Sequence, residues 1–328
     1  MINVLVTGAN GQAGSILCEL LLCKGYKVFG LVRRSSVMDN LTNLGSCLNS
    51  PRFKLLQGDI SDYAYLHKLF SDYGFDYVYN AAAQSHVGYS FKVPKLTAET
   101  NYIGVMNLLE VIKNVSPATK MLQFSTSEMY GNTIKSKDKI ITLEDKFLPE
   151  SPYAISKVAA HDLVVNYRKS YNLHVMCGVF FNMESERRSL DFVTRKATNS
   201  AAAIKHGTLT QVGFGNIESE RDWGSCWEYM EGAIKALEYK EPREFLFASG
   251  KKFSVTQMLE HVFNYAGLGD YRQYVYIDEK LYRPSDVGCL LGDSSETQEV
   301  LSWKPSCEFK DLIEYMYDYD YKKYQEGK

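Results

Sequence analysis

The sequence predicts an open α/β fold, a doubly wound parallel sheet with a smaller, interleaved second lobe, on three observations. Short apolar runs alternate with helix-like stretches through the first half of the chain. A glycine-rich turn joins the first apolar run to the first helical stretch. From about residue 183 the alternation gives way to shorter segments punctuated by Gly207, Gly213 and Gly215. At 328 residues the chain also exceeds the roughly 250–300 residues at which single cores stop growing. We therefore expect a dinucleotide-binding domain over residues 1–182 and a lobe over 183–328, with some chain returning to the first domain.

Val4-Leu5-Val6, Lys27–Val32, Phe53–Leu56, Tyr77–Asn80 and Met121–Phe124 are short, apolar and nearly continuous, as strands covered on both faces are. Between them, residues 14–24, 62–73 and 96–114 carry apolar positions at helical spacing. Strands alternating with helices imply parallel pairing through right-handed crossovers. A long helix follows at 153–171, then a sixth strand at His174–Phe181. In the tail, Tyr315, Tyr317, Tyr319 and Tyr321 alternate as in a strand, while Phe309, Leu312, Ile313 and Met316 follow a helical period. The helix is the favoured reading.

Composition narrows the function. Hydrophobic residues at 45% and charged residues at 23% exclude wholesale disorder. A net charge of −2 lacks the basic footprint of a nucleic-acid binder. No apolar run approaches the roughly 18 residues of a membrane span, and Met1-Ile2-Asn3 opens no secretory signal. Seven scattered cysteines without a Cys-x-x-Cys pair read as free thiols in a reducing compartment, which points to the cytoplasm. Six separated histidines offer no ligand spacing, so no metal is expected.

Thr7-Gly8-Ala9-Asn10-Gly11-Gln12-Ala13-Gly14 follows the first strand and opens the first helix. Gly8, Gly11 and Gly14 let the backbone approach a pyrophosphate, which the helix N-terminus then holds through free N–H groups. Asn10 and Gln12 join them as cofactor candidates in this Rossmann-type turn. Its Gly-x-x-Gly-x-x-Gly spacing resembles that of the extended short-chain dehydrogenases. At the end of the second strand, where an acid would accept a ribose 2′-hydroxyl, the chain has Arg33 and Arg34, which suit a 2′-phosphate and hence NADP. Asp59 and Ile60 follow the third strand, where Asp59 could meet the adenine edge. Ala81-Ala82-Ala83 after the fourth is small enough to let the cofactor pass.

Tyr153 and Lys157 share a helix face, and an ammonium beside a phenol favours the phenolate. Tyr153 is thus a candidate acid/base toward a sugar hydroxyl. Ser125-Thr126-Ser127-Glu128 ends the fifth strand. Thr126 can bond the hydroxyl being oxidised. Glu128 adds a carboxylate that simple alcohol oxidation does not need; it can take a proton alpha to a new ketone, after which a β-hydroxyl leaves.

On these and further motifs, the sequence resembles the GDP-mannose 4,6-dehydratase family of extended short-chain dehydrogenases/reductases. The matching stretches are Val32–Ser36 (VRRSS), Ala83–Val87 (AQSHV), Ser125–Gly131 (STSEMYG), Ser151–Tyr153 (SPY), Phe192–Lys196 (FVTRK), Arg221–Gly224 (RDWG), Tyr282–Pro284 (YRP) and Trp303–Pro305 (WKP). The resemblance implies bound NADP, a GDP-sugar substrate and a redox-neutral lyase reaction. It places Ala83, Ser85 and Arg188 near the cofactor, and Ser85, Asn182, Lys196, Arg221, Arg283 and Asp286 near the nucleotide-sugar. It further implies a homotetramer, or at least a dimer, paired through the helices near 96–114 and 153–171. The sequence departs from the family pattern at Ala13, Met183, Ser225-Cys226 and Asp286. Open alternatives are a dehydratase of another GDP-sugar, such as a manno-heptose, an epimerase or 4-keto reductase on the same scaffold, and a non-catalytic dinucleotide sensor.

Overall fold

The computed structural model describes residues 1–34, 38–132, 140–282 and 287–327. The first half runs β1 (Asn3–Thr7), α1 (Gln12–Cys23), β2 (Lys27–Val32), α2 (Gly45–Leu48), β3 (Phe53–Gln57), α3 (Tyr63–Tyr73), β4 (Tyr77–Asn80), α4 (Val87–Ser90), α5 (Pro94–Ala98), α6 (Gly104–Val115), β5 (Lys120–Thr126), α7 (Pro152–Tyr171) and β6 (Val175–Phe180). It continues through β7 (Asn182–Glu184), α8 (Val193–His206), β8 (Val212–Phe214), β9 (Glu220–Ser225), α9 (Cys226–Glu238), β10 (Phe245–Phe247), β11 (Lys252–Ser254), α10 (Val255–Tyr265), β12 (Val275–Ile277), β13 (Cys289–Leu290), α11 (Ser295–Leu301) and α12 (Phe309–Gln325).

Seven strands form one parallel sheet in the order β10-β6-β5-β4-β1-β2-β3. The predicted α/β class and parallel sheet hold. Val4, Val6 and Val28 pack into one buried layer, while Leu5, Phe29 and Val78 pack into the other. Both faces are dry, which is why the strands read as unbroken apolar runs. The order reverses between β1 and β4, and open α/β sheets bind ligands at such a point.

Local chemistry sets the helix ends. Asp62 accepts the amide of Tyr65 and starts α3. Ser151 accepts the amide of Ala154, with Pro152 at the first helical position, and so starts α7. α5 and α6 form one run interrupted by a π-turn over Glu99–Ile103, a feature with no signature in the apolar period. The tail is a helix, with Leu312, Ile313 and Met316 inward and Tyr315 half exposed; the tyrosine alternation is incidental.

Two features tie the second half to the first. β10 returns to the main sheet beside β6, and Phe247 stacks on Phe180 at 4.7 Å. The remaining short strands form a sheet of β11-β9-β13, with β7 also on β9, and a separate β12-β8 pair. A third apolar core lies among α8, α10 and α12.

Three buried side chains cross the centre of the main sheet. Thr7 Oγ1 donates to Asn80 Oδ1 at 2.5 Å, Asn80 Nδ2 to Gln123 Oε1 at 2.6 Å, and Gln123 Nε2 to the Phe124 carbonyl at 3.0 Å. Gln123→Leu keeps the side chain's approximate size but strands the Asn80 amide. Urea unfolding should show a loss of about 1–3 kcal/mol, the usual cost of a buried polar group left unpaired.

Candidate active site

A cavity of about 840 Å³ opens at the carboxyl ends of β1, β4, β5 and β6. Gly8, Asn10, Gly11, Gln12 and Gly14 form one wall, and Ala83 and Ser85 line it from beyond β4. Gly8 has φ +64°, and a Cβ there would meet the Ala82 backbone at 2.9 Å. A Cβ on Gly14 would meet the Gly8 carbonyl at 2.2 Å, so strand and helix can approach only without side chains. Gly11 caps α1 without a side-chain bond. The first amides of α1 are therefore left for a ligand, and the turn fits a pyrophosphate. Gln12 is engaged elsewhere: its amide donates to the Met183 carbonyl at 3.0 Å and accepts the Ser185 hydroxyl at 2.9 Å, bridging the two halves.

Thr126, Glu128, Tyr153, Lys157 and Arg188 line the same cavity. Thr126 ends β5, and its hydroxyl accepts the Glu128 amide at 3.3 Å, fixing the turn that presents the half-buried Glu128. The Tyr153 amide donates to Ser90 Oγ at 3.2 Å, so the start of α7 is also anchored to α4. Burial pushes the Tyr153 phenol up to about 12, opposed by its hydrogen bond to Thr126. Glu128 raises it further and Arg188 lowers it. Lys157, buried on the same helix as Tyr153, donates from its ammonium to the Phe124 carbonyl at 2.5 Å. Burial draws Lys157 down to about 8.

Asn182, Lys196 and Arg221 line the other end. Asn182 Oδ1 is buried with no hydrogen-bond partner among the described residues, an acceptor free for a ligand. Lys196 donates to the Gly213 carbonyl at 2.5 Å and lies 5.0 Å from the Phe214 ring centroid. Arg221 donates to the Glu220 carbonyl at 2.9 Å.

Four predicted cofactor residues stand outside the cavity wall. Arg33 and Arg34 are exposed just beyond β2. Asp59 accepts the Ser61 amide and hydroxyl, both at 2.9 Å, closing its own turn. The Ile60 side chain is buried in the core against α6. Arg283 and Asp286 lie outside the described residues.

Several site groups carried no sequence signal. Asn101, within the π-turn, accepts the Gln84 amide at 2.8 Å and donates to the Gln84 carbonyl and to Ser156 Oγ, both at 3.0 Å. His161 lies one helical turn beyond Lys157, a spacing that was visible but unused. With Cys177 and Glu244 it forms a group whose ligand atoms lie within 4.8 Å of one another. Its members already have partners: Ser125 at 3.0 Å for His161 and Arg168 at 2.7 Å for Glu244. Glu184, buried in β7, is the remaining unanticipated group.

A sequence model of the family described as GDP-mannose 4,6 dehydratase matches residues 5–316. GDP-mannose 4,6 dehydratase 1 of Arabidopsis thaliana is 40% identical over 326 residues, covering 96% of this chain and 89% of that protein. Among solved structures, UDP-glucose 4-epimerase of Thermotoga maritima with UDP-glucose superposes with TM-score 0.86 at 24% identity, over 98% of this chain and 100% of that one. The dTDP-glucose 4,6-dehydratase of Bacillus anthracis in complex with NAD gives 0.85 at 21%, over 99% and 98%.

The low value at Lys157 has a consequence for stability. An unfolded lysine titrates near 10.4. The folded state therefore carries the cost of a buried ammonium below about pH 8, and sheds it as pH rises toward about 10.4. Lys157→Met should abolish turnover yet stabilise the protein by roughly 1–3 kcal/mol at pH 7. In thermal or denaturant unfolding, that gain should shrink steadily above about pH 8.

Proposed function

The chain belongs to the GDP-mannose 4,6-dehydratase family, and we propose that it converts GDP-mannose to GDP-4-keto-6-deoxymannose and water with no net redox change. The observation that carries this reading is Glu128 in one cavity with Thr126 and Tyr153. Oxidising a hydroxyl calls for the threonine and the tyrosine; elimination calls for the carboxylate as well.

The cofactor is a nicotinamide dinucleotide, for which the glycine turn and the free first amides of α1 are built. Its chemistry, when bound, is to accept hydrogen from C4 of the sugar as hydride and to return it at C6. Thr126 holds the sugar 4-hydroxyl, and the Tyr153 phenolate takes its proton. Glu128 then removes the C5 proton, made acidic by the adjacent ketone, and passes a proton to the departing C6 hydroxyl; C5 afterwards takes up the proton that Tyr153 received from the 4-hydroxyl, which restores the phenolate and closes the balance. Lys157, anchored on the Phe124 carbonyl, keeps the base of this face cationic at neutral pH. Residues 1–182 serve mainly the cofactor, and residues 183–328 mainly the nucleotide-sugar. In the second lobe, Lys196 and Arg221 suit the diphosphate, where a guanidinium can bind two oxygens at once.

Arg33 and Arg34 make NADP the expected form of the cofactor, through the 2′-phosphate. Leu96, Ile155 and Tyr171 are 39%, 56% and 49% exposed near the helices expected to pair subunits, and we read them as faces covered in a homotetramer or dimer. Native mass spectrometry of freshly purified protein addresses both points. It should show an oligomer that releases NADP on denaturation. Predominant NAD would overturn the arginine reading, and a strict monomer the assembly.

The reaction is tested by incubation with GDP-mannose, which should give a product lighter by one water. Glu128→Gln keeps the side chain's shape but removes the proton acceptor, and should slow turnover by roughly 10²–10⁴-fold. Because C4 oxidation comes first, that variant should still accumulate reduced cofactor on mixing. Tyr153→Phe should suppress this first step. Near-normal turnover in Glu128→Gln would return an epimerase or reductase to first place.

A further inference from the structure

Arg187 stands behind the cavity wall, outside its lining. Its guanidinium joins segments that are distant in sequence. Nη1 donates to Ser15 Oγ and to the Asn43 carbonyl, both at 3.2 Å, and Nη2 donates to Glu19 Oε1 at 2.8 Å. Nε donates to Glu186 Oε1 at 3.2 Å, and the guanidinium carbon lies 5.0 Å from the Trp227 ring centroid. Ser15 and Glu19 belong to α1, whose first amides are left for the cofactor, and Asn43 to the 3₁₀ turn over Met38–Leu44. Asn43 Nδ2 donates in turn to the Asn10 carbonyl of the glycine turn at 3.1 Å. On the other side, residues 182–188 carry Asn182, Met183 and Arg188 into the cavity lining. This segment is stiff along its length. Asn182 stands in register with Trp223 of β9, and Glu184 accepts the Thr194 hydroxyl at 2.5 Å and lies 3.4 Å from Arg188 Nε. Ser185 Oγ accepts the Arg187 amide at 3.1 Å and donates to Gln12 of α1 at 2.9 Å.

We propose that Arg187 is a positioning residue that couples the two ligands of this cavity: it ties the wall bearing Asn182 to the helix and turn that hold the cofactor, so that filling one site tightens the other. The fork reaches four acceptors, on Ser15, Glu19, Asn43 and Glu186, from a side chain only 14% exposed. So little water reaches the cation that losing one of these partners is costly, and the segments hold one arrangement together. A cofactor on the glycine turn fixes α1. Through Arg187 it also fixes the strand that presents Asn182 Oδ1, which has no partner among the described residues, to the nucleotide-sugar. By reciprocity, a bound nucleoside diphosphate holds the cofactor more tightly by the same factor. The inference rests on the dinucleotide and the GDP-sugar sharing this cavity, as proposed above, and not on the dehydration itself.

The test uses GDP as the probe and needs no turnover. The protein is loaded with the reduced form of whichever nicotinamide dinucleotide copurifies, NADPH or NADH. Its release on dilution into excess oxidised cofactor is followed by the loss of energy transfer from tryptophan, with and without saturating GDP. In the wild type GDP should slow release at least about fivefold, the lower end of ordinary coupling between sites. Arg187→Met keeps the stem and removes the fork, and should bring that ratio below about twofold. Arg187→Lys keeps a charge toward Glu19 but not the planar fork, and should fall between. Loss of stability alone leaves the ratio unmoved, because it is taken within each protein. If GDP slowed release merely by covering the cofactor, the ratio would survive in both variants. A wild-type ratio near one overturns the proposal, as does a wild-type ratio in Arg187→Met. Should Arg187→Met not fold, Arg187→Lys decides: a reduced ratio supports the coupling, and an unchanged one overturns it. Failure of the wild type to dehydrate GDP-mannose would sink the functional reading and leave these ratios standing.

Discussion

The chain of buried hydrogen bonds from Thr7 through Asn80 and Gln123 to the Phe124 carbonyl fixes the centre of this protein. Polar groups in a sheet covered on both faces have no water to turn to, so each must find its partner in the neighbouring strand. The three side chains stand in register, Thr7 opposite Asn80 and Asn80 opposite Gln123. A slip of one residue would point one of them to the opposite face and strand the others. The Phe124 carbonyl accepts Lys157 as well. The cofactor turn after β1, the end of β5 and the position of α7 are thereby set by one connected network.

The electrostatics of the cavity follow from dryness. Burial moves Tyr153 up and Lys157 down, so both are driven toward their neutral forms.

Much of this was legible in the sequence because it depends on local pattern. The apolar strands, the helix periods, Gly8 and Gly14, and the Ser151-Pro152 start of α7 each carry their own signal. The gathering of Thr126, Glu128, Tyr153 and Lys157 into one cavity was legible because all four hang on β5 and the helix beside it. The tail helix was recovered from Leu312, Ile313 and Met316 against the tyrosine alternation, since burial rather than aromatic spacing decides the period. What stayed hidden depends on distant partners. Nothing near Glu184 announces that Arg188 and Thr194 will meet it, and nothing near Gln12 announces its bridge to Met183 and Ser185. The π-turn that turns Asn101 inward is a defect in a helix whose apolar pattern reads straight through it. Lys157's hydrogen bond to the Phe124 carbonyl is likewise a matter of where β5 ends.

The return of the chain at β10 bears on how the protein is made. β6 is apolar along its whole length and buried on both faces, and its outer edge is closed only by Phe245–Phe247. As the polypeptide leaves the ribosome at about 5–20 residues per second, that edge stays bare for several seconds while β7 through α9 emerge. A bare hydrophobic edge is a template for pairing with another nascent chain. The nascent protein thus passes through an aggregation-prone stage that ends only with β10, and a gene fragment stopping after β6 would yield a sticky product in place of a free-standing dinucleotide-binding module.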